Sequence, residues 1–265
     1  MPIRFIRDRP ALLISDDAGG KKRKFLVVAD LHLGLEHELF QSGIVIAPQA
    51  EKFKNTIGKL LKMTKADTLV IVGDLKHKVP GISFRELKEL PKLIDFLRKR
   101  VKVILVSGNH DADLKEISEN IKVYDSHGFK IGKYGFFHGH AWPDKSLLAC
   151  DFLFTAHMHP AVEFVDDFGF RSIEPVWVKG RLDEKIIRTK YKIKEKNESD
   201  RLKIGKLQVI VMPPFNPIIV GTALNSKKQG HIGPLTNSGA LDIRKCEAFM
   251  LDGTSLGKIS KLKRN

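Results

Sequence analysis

Five short apolar runs constrain this chain more than any other feature, because a motif rich in Asp, Asn or His follows each of them. The runs are mostly continuous, a pattern typical of strands that are covered on both faces. In chain order they are Phe25–Ala29, Thr68–Val72, Val101–Val106, Phe136–Phe137 and Phe152–Phe154. Helical patterns lie between the early runs, and strand–helix–strand alternation predicts a largely parallel α/β core.

Two of the intervening segments predict helices. Ala47–Met63 has an early proline and an apolar stripe, which indicates an amphipathic helix. Ser83–Arg100 begins with a capping-box pair, Ser83 and Glu86, and carries a second stripe. Pro91 is expected to kink or divide this helix, because proline removes a helical hydrogen bond.

The chain on either side of this core predicts mostly β structure. The first two segments could form a hairpin or two edge strands, and the pattern changes from α/β to β after Pro160. The expected strands are Ile3–Ile6, Leu12–Ser15, Ala161–Val165, Phe168–Val178, Leu207–Met212 and short ones within Leu241–Lys261. Lys179–Leu207 shows no convincing helical stripe and is expected to be a protruding hairpin or a mobile loop.

Charge is the unusual feature of the composition. The 46 Lys and Arg residues exceed the 31 Asp and Glu residues, which gives a net charge of +15. The segment Lys179–Leu207 holds 11 basic and 5 acidic residues. Such a surplus attracts polyanions, nucleic acid above all, although a lysine-rich surface that only aids solubility or heat resistance remains an equal alternative.

The compartment is predicted from what the chain lacks. Two cysteines, Cys150 and Cys246, cannot build a disulfide framework, which favours a reducing environment. No apolar run approaches the roughly 20 residues that span a bilayer, and Met1–Pro10 has no apolar core of a secretory signal. A soluble, cytoplasmic protein without a membrane partner is therefore expected.

The side chains that follow the five runs are of the types that bind metal ions. They are Asp30 and His32, Asp74, Asn109 with His110 and Asp111, His138 with His140, and His157 with His159. Ligands bind at the carboxyl ends of parallel strands, so all five motifs are expected at one edge of one sheet. A mixed oxygen and nitrogen set without thiolate favours Mn²⁺, Fe or Zn²⁺ in a hydrolytic site. Seven or more ligands suit two ions about 3.5–4 Å apart that share a carboxylate.

The order of these motifs resembles the calcineurin-like metallophosphoesterase superfamily. The matching pattern is D-x-H, G-D, G-N-H-D, a strand-terminal His and H-x-H, and it covers about residues 24–160. Ala156 stands where the family usually has Gly, and one methyl group should not exclude a metal. The segments VADLHLG at 28–34 and GDLKH at 73–77 are similar to archaeal phosphoesterases related to the bacterial ligase-associated DNA phosphoesterases.

The resemblance implies a fold and a cofactor. The fold would be α/β, a four-layer α/β/β/α sandwich, in a single domain over 1–265 with the motif-bearing core at 24–160 and a β-rich part at 161–265. The cofactor would be two divalent metal ions, with Mn²⁺ preferred and Fe, Zn²⁺ or Ni²⁺ as alternatives. The chemistry would be attack on phosphorus by a hydroxide that the two ions share.

The resemblance also divides the roles among the residues. One ion would be held by Asp30, His32, Asp74 and His159, and the other by Asp74, Asn109, His138 and His157. His110 would stay outside the metal shell and protonate the leaving oxygen, while Asp111 would orient His110 and raise its basicity. His138 is preferred over His140 as the ligand, which leaves His140 as a contact for a ligand residue or for the substrate phosphate.

Other residues receive structural interpretations. His37 and His77 lie beside motifs and are expected at the surface or behind the ligands, whereas His127 and His231 are expected at the surface. Cys150 is expected to be a buried free thiol. Trp142 could stack on a base, but a core position is favoured.

The leading function is hydrolysis of phosphodiester bonds in nucleic acid or nucleotides. A phosphomonoesterase or phosphoprotein phosphatase with the same metals is the first alternative, and a non-catalytic scaffold is the second. The motifs leave open the native metal, DNA or RNA, endo or exo cleavage, and the oligomeric state.

Overall fold

The computed structural model describes residues 3–17, 22–114, 119–193, 202–204, 206–226 and 232–262. The strands are β1 (Ile3–Phe5), β2 (Leu12–Asp16), β3 (Arg23–Ala29), β4 (Thr68–Val72), β5 (Lys102–Val106), β6 (Lys122–Tyr124), β7 (Phe129–Ile131), β8 (Tyr134–Phe136), β9 (Phe152–Thr155), β10 (Pro160–Val165), β11 (Arg171–Arg181), β12 (Gln208–Val211), β13 (Thr222–Ala223), β14 (Glu247–Met250) and β15 (Ser255–Lys258). The α-helices are α1 (Leu35–Gln41), α2 (Gln49–Thr64), α3 (Phe84–Arg98), α4 (Glu184–Lys190) and α5 (Pro234–Asn237). Short 3₁₀ turns occupy Lys145–Ala149, Ile243–Lys245 and Ile259–Lys261.

The first sheet has the strand order β1-β2-β3-β4-β5-β6. Strands β3 to β6 run parallel, as the strand–helix–strand alternation predicts. Strands β1 and β2 form an antiparallel pair, and β2 continues the sheet by pairing with β3. The N-terminal segments are thus a hairpin that extends the first sheet.

The second sheet has the order β13-β10-β11-β12-β9-β8-β7, and β14 and β15 branch from β11. Strand β12 pairs in parallel with β9 and antiparallel with β11. The two ends of β11 have different partners, because its first half pairs with β10 and its second half with β12 and β14. Strands from the motif-bearing core and from the C-terminal part therefore share one sheet.

Alternating side chains of the strands define the layers. One face of the first sheet packs on the second sheet through residues that include Val27, Val70, Ile104, Phe154 and Ile210. The opposite face of the first sheet packs under α2 and α3, with Leu26, Leu69 and Leu105 among the contacts. The outer face of the second sheet packs against α4 and α5, with Val178, Ile187 and Leu235 among the contacts. The four-layer α/β/β/α sandwich is confirmed.

The two predicted helices are present with small shifts at their ends. In α3 the capping box is complete, since Ser83 accepts from the Glu86 amide and Glu86 accepts from the Ser83 amide. Pro91 does not divide α3, which runs from Phe84 to Arg98 with Leu90 and Leu93 buried. None of the helices in the described ranges is long and apolar enough to cross a membrane.

The expected hairpin or loop over 179–207 is wrong over residues 179–190, whereas the described residues from 191 to 207 form turns or irregular structure. Strand β11 continues to Arg181, and α4 follows with Asp183 as its cap, which accepts from the Ile186 amide. Helix α4 is short and buries Ile187 in the outer core, so it shows no extended stripe in the sequence. Residues 194–201 and 205 of this segment lie outside the described residues.

Candidate metal centre

The expected site residues meet where both sheets end, rather than at the edge of one sheet. Strands β3, β4 and β5 of the first sheet lead into the motifs that begin at Asp30, Asp74 and Asn109. Strands β8 and β9 of the second sheet lead into His138 and His157. The single-sheet expectation is wrong because β8 and β9 pair with each other, and β9 also pairs with β12.

The backbone at this edge is held in an unusual conformation. Five expected ligands have positive φ angles, at Asp30 (51°), His32 (42°), Asp74 (49°), His157 (68°) and His159 (45°). Non-glycine residues rarely adopt this region, and such residues cluster at functional sites where the surroundings enforce them. Here neighbouring loops enforce it, since the His32 amide donates to the Asp74 carbonyl at 2.8 Å.

Two groups of possible ligand atoms share Asp74, and within each group all the atoms lie within 4.8 Å of one another. The first group is Asp30, His32, Asp74 and His159, and the second is Asp74, His138 and His157. Asp74 Oδ2 lies 3.3 Å from His32 Nε2 and 3.2 Å from His138 Nε2. The geometry thus brings together the carboxylates and imidazoles expected for two ions, with the shared carboxylate between them. Asn109, the expected amide ligand, lies in the loop after β5 and is exposed.

The donor set fits divalent cations. Asp30 and Asp74 are buried, and the Asp30 Oδ1 atom has no hydrogen-bond partner. Buried carboxylates that lack such partners are costly unless a cation compensates them. His138 Nδ1 donates to the Val72 carbonyl at 3.1 Å, which points the lone pair of Nε2 toward the cluster.

The pKa values of the cluster also favour a bound cation. Burial lowers the pKa of His32 to about 2 and that of His157 to about 3, so both imidazoles are neutral and can ligate. Burial would raise the pKa of Asp74, but His138 and His32 hold it well below its usual range. Burial opposes charge on His138 too, yet the carboxylates of Asp74 and Asp30 raise its pKa. The ionised Asp74 carboxylate therefore attracts a positive charge to this edge.

His110 lies beside the first group but is oriented differently from the expectation. Its Nδ1 donates to the His77 carbonyl, and its backbone amide donates to Asp74 Oδ1 at 2.9 Å. The Asp111 carboxylate instead accepts from the backbone amides of Gly108, Leu75 and Lys76. The expectation that Asp111 orients His110 is therefore wrong, because the buried Asp111 joins the loops after β4 and β5.

Two residues behind the ligands were missed by the sequence analysis. The buried Asn216 donates from Nδ2 to the Leu31 carbonyl at 2.8 Å and so supports the loop that carries Asp30 and His32. Glu38 of α1 lies 2.9 Å from the His77 ring. The prolines around Asn216 predict only an irregular segment, and Glu38 follows no strand, so no local pattern marks either residue.

The remaining histidines lie in different surroundings. His140 is half-buried with its ring centroid 5.3 Å from that of His138, and its role as a substrate contact stays a prediction. His77 contacts His32 from behind, and His37 is half-buried on α1. His127 is exposed, whereas His231 lies outside the described residues.

Two further expectations concern packing. Cys150 is a buried free thiol, which confirms its expected state. Trp142 packs partly buried in the outer core, with its ring centroid 6.2 Å from that of Tyr191. Lys190 Nζ lies 4.9 Å from the Trp142 centroid, so this tryptophan has a protein partner for its face.

These features define a class of protein: a two-sheet α/β fold with a cluster of carboxylates and imidazoles that could hold divalent metal at the edge where both sheets end. The family model of the calcineurin-like phosphoesterases matches residues 23–196. The chain therefore belongs to the calcineurin-like phosphoesterase family.

Solved structures and curated sequences were also compared with the chain. The nuclease MPE of Pseudomonas putida is 17% identical, with 90% of this chain and 95% of that chain covered and a TM-score of 0.48. The phosphoesterase YfcE of E. coli is 15% identical, with 88% and 97% covered and a TM-score of 0.39. Comparison with curated protein sequences finds no match.

Proposed function

We propose that this protein hydrolyses phosphodiester bonds in nucleic acid or nucleotides with two divalent ions, of which Mn²⁺ fits the donors best. The observation that carries the proposal is the pair of ligand groups that share Asp74 within a calcineurin-like phosphoesterase. Oxygen and imidazole donors without thiolate suit Mn²⁺, and Fe, Zn²⁺ or Ni²⁺ are alternatives.

Seven residues would bind the two ions, and an eighth would act as the general acid. The first ion would be held by Asp30, His32, Asp74 and His159, and the second by Asp74, Asn109, His138 and His157. When bound, such ions supply an activated water and neutralise charge on the phosphoryl oxygens. His110 has its Nδ1 committed to the His77 carbonyl, which leaves Nε2 as the nitrogen that can protonate the leaving oxygen.

The proposed substrate rests on charge and on motif resemblance. The net charge of +15 attracts polyanions, and nucleic acid is the polyanion that a phosphodiesterase would meet. The VADLHLG and GDLKH segments resemble phosphoesterases related to the ligase-associated DNA enzymes. The two buried free cysteines support action in the cytoplasm, where thiols stay reduced.

The central test compares a diester with a monoester. Chelated protein is reloaded with Mn²⁺ and assayed on bis-p-nitrophenyl phosphate and on p-nitrophenyl phosphate. Faster hydrolysis of the diester, restored by the metal, supports the proposal. Preference for the monoester would instead support a phosphomonoesterase.

A second test asks whether the basic segment binds the substrate. Gln replaces Lys190, Lys192, Lys194 and Lys196, and a control variant carries the same change in charge at four exposed lysines of α2 and its C-terminal end, Lys52, Lys59, Lys62 and Lys65. Oligonucleotide affinity falls with salt by a log–log slope of about −0.9 per neutralised phosphate on duplex DNA. The first variant should bind more weakly with a flatter slope than the control, while both hydrolyse the small diester normally. Equal binding in both variants would assign the segment to solvation only.

A further inference from the structure

The His77 ring lies between a metal-ligand candidate and a carboxylate. His77 Nδ1 is 3.2 Å from His32 Nδ1, and His77 Nε2 is 2.9 Å from Glu38 Oε2. The other nitrogen of His32, Nε2, faces the cluster and lies 3.3 Å from both Asp74 Oδ2 and His159 Nε2. The three side chains thus form a line that runs from α1 to the metal centre.

The chemistry of the groups allows one proton arrangement when both rings are neutral and the carboxylate is ionised. An ionised carboxylate only accepts, so His77 Nε2 must carry a proton and donate it to Glu38. His77 Nδ1 then has a lone pair and accepts the Nδ1 proton of His32. His32 Nε2 is left with a lone pair toward Asp74, which is the tautomer that a metal ligand needs.

The backbone of His77 is held on both sides, so its ring has a defined place. Its amide donates to Glu86 Oε1 at 2.8 Å, and Glu86 is buried. The buried Lys76 donates from Nζ to the Lys78 and Gly81 carbonyls, which braces the loop that follows. The capping-box residue of α3 therefore also positions the loop beside the metal centre.

His77 contacts the expected acid as well. Its carbonyl accepts from His110 Nδ1, and the two rings stack with centroids 5.4 Å apart and planes 17° apart. One residue therefore touches both a ligand through its ring and the acid through its carbonyl. Replacement of the ring removes its contacts with the His32 and His110 rings but leaves the carbonyl that accepts from His110, so the ring contacts can be separated from the backbone hydrogen bond.

We infer that Glu38 and His77 are positioning residues that set the tautomer of His32 through a carboxylate–imidazole–imidazole chain and so raise the affinity of the first metal site. The inference rests on the metal centre of the proposed function but not on its substrate. Partners of this kind behind metal-bound histidines typically change metal affinity by about 10–100-fold.

The test measures metal affinity by competition with a chromophoric chelator, with Mn²⁺ and with Co²⁺, whose visible spectrum reports the ligand geometry. The variants are Glu38→Ala, Glu38→Gln, His77→Ala and the Glu38→Ala/His77→Ala double variant. The control is Glu51→Ala, because Glu51 has a side chain 70% exposed against 66% for Glu38 and also bonds a basic side chain, Lys54. Unfolding of the metal-free proteins checks that each variant folds.

Glu38→Ala should lower the affinity for one of the two ions by about tenfold or more, whereas Glu51→Ala should leave both affinities unchanged. Gln keeps an acceptor oxygen and should fall between Glu and Ala. The double variant should bind metal no more weakly than His77→Ala, because residues that act through one series of hydrogen bonds do not contribute additively. Unchanged metal affinity in Glu38→Ala would overturn the inference, and so would losses of affinity that add in the double variant. A third ion that the parent binds and His77→Ala does not would also overturn it, because His77 would then be a metal ligand itself.

These outcomes are independent of diester hydrolysis. If the parent binds two ions but cleaves no diester, the proposed function fails while the affinity differences still decide the role of Glu38 and His77. If the parent cleaves diesters and the affinities do not change, the proposed function stands and the inference fails.

Discussion

The close approach of Gly73 to His138 leads to a prediction that separates local strain from damage to the metal centre. Gly73 and Gly81 have the same φ of +79°, so alanine at either position would have the same unfavourable positive φ. A Cβ on Gly73 would overlap the His138 imidazole, whereas a Cβ on Gly81 would have no neighbour within 4 Å. Gly81→Ala is therefore a matched control for Gly73→Ala.

The magnitudes follow from these contacts. The left-handed conformation costs an L-residue about 1–2 kcal/mol, and both variants bear this cost. In Gly73→Ala the His138 ring must also move and lose its Nδ1 hydrogen bond to Val72, and a buried unsatisfied donor costs about 1–3 kcal/mol. The free energy of unfolding should thus fall by about 1–2 kcal/mol in Gly81→Ala and by about 2–5 kcal/mol in Gly73→Ala.

The assay is urea denaturation of the metal-free proteins, followed by titration with Mn²⁺ and a second denaturation series. Gly81→Ala should gain as much stability from Mn²⁺ as the parent, because a ligand that binds the native state stabilises it. Gly73→Ala should gain less, because its second site has a displaced His138. Equal losses of stability in the two variants, with equal gains from Mn²⁺, would refute the reasoning.

Three other predictions concern single side chains. Asp74→Asn should lower the affinity for both ions, because Asp74 Oδ2 lies between His32 and His138. A variant that holds two ions by elemental analysis and keeps full activity in kinetic assays would contradict this. His110→Ala should keep its metals and lose about 10²–10⁴ in rate, less with p-nitrophenolate than with a poor leaving group, and equal losses for both would exclude an acid role. Burial raises the pKa of Cys246 to about 12 and also raises that of Cys150, so at pH 8 both thiols should resist iodoacetamide until urea unfolds the chain. Rapid alkylation of the native protein, detected by mass spectrometry, would contradict their burial.

Local sequence was sufficient for the central strands of the first sheet and for the residue types at the metal centre. A strand covered on both faces needs consecutive apolar residues, so β3, β4 and β5 are visible as short apolar runs. The motif after each strand follows directly in the chain, and its position at the strand end is set by sequence alone. The capping box of α3 is local in the same way.

Other features depended on contacts between distant parts of the chain. Whether β8 and β9 join the first sheet or form another depends on which strands accept their hydrogen bonds, and β9 pairs with β12 more than 50 residues later. Helix α4 has too few residues for a periodic pattern, and it is stabilised by burial of Ile187 in the outer core.

The residues behind the ligands show the same division. The family resemblance implied that Asp111 orients His110, but the Asp111 carboxylate is buried among the amides of Gly108, Leu75 and Lys76. The His110 ring instead bonds the His77 carbonyl, a backbone atom that every residue type offers and that no motif can reveal. Sequence therefore predicts the ligands, because metal chemistry restricts their residue types. Only the folded structure decides their partners, because hydrogen bonds depend on distance in space rather than on separation along the chain.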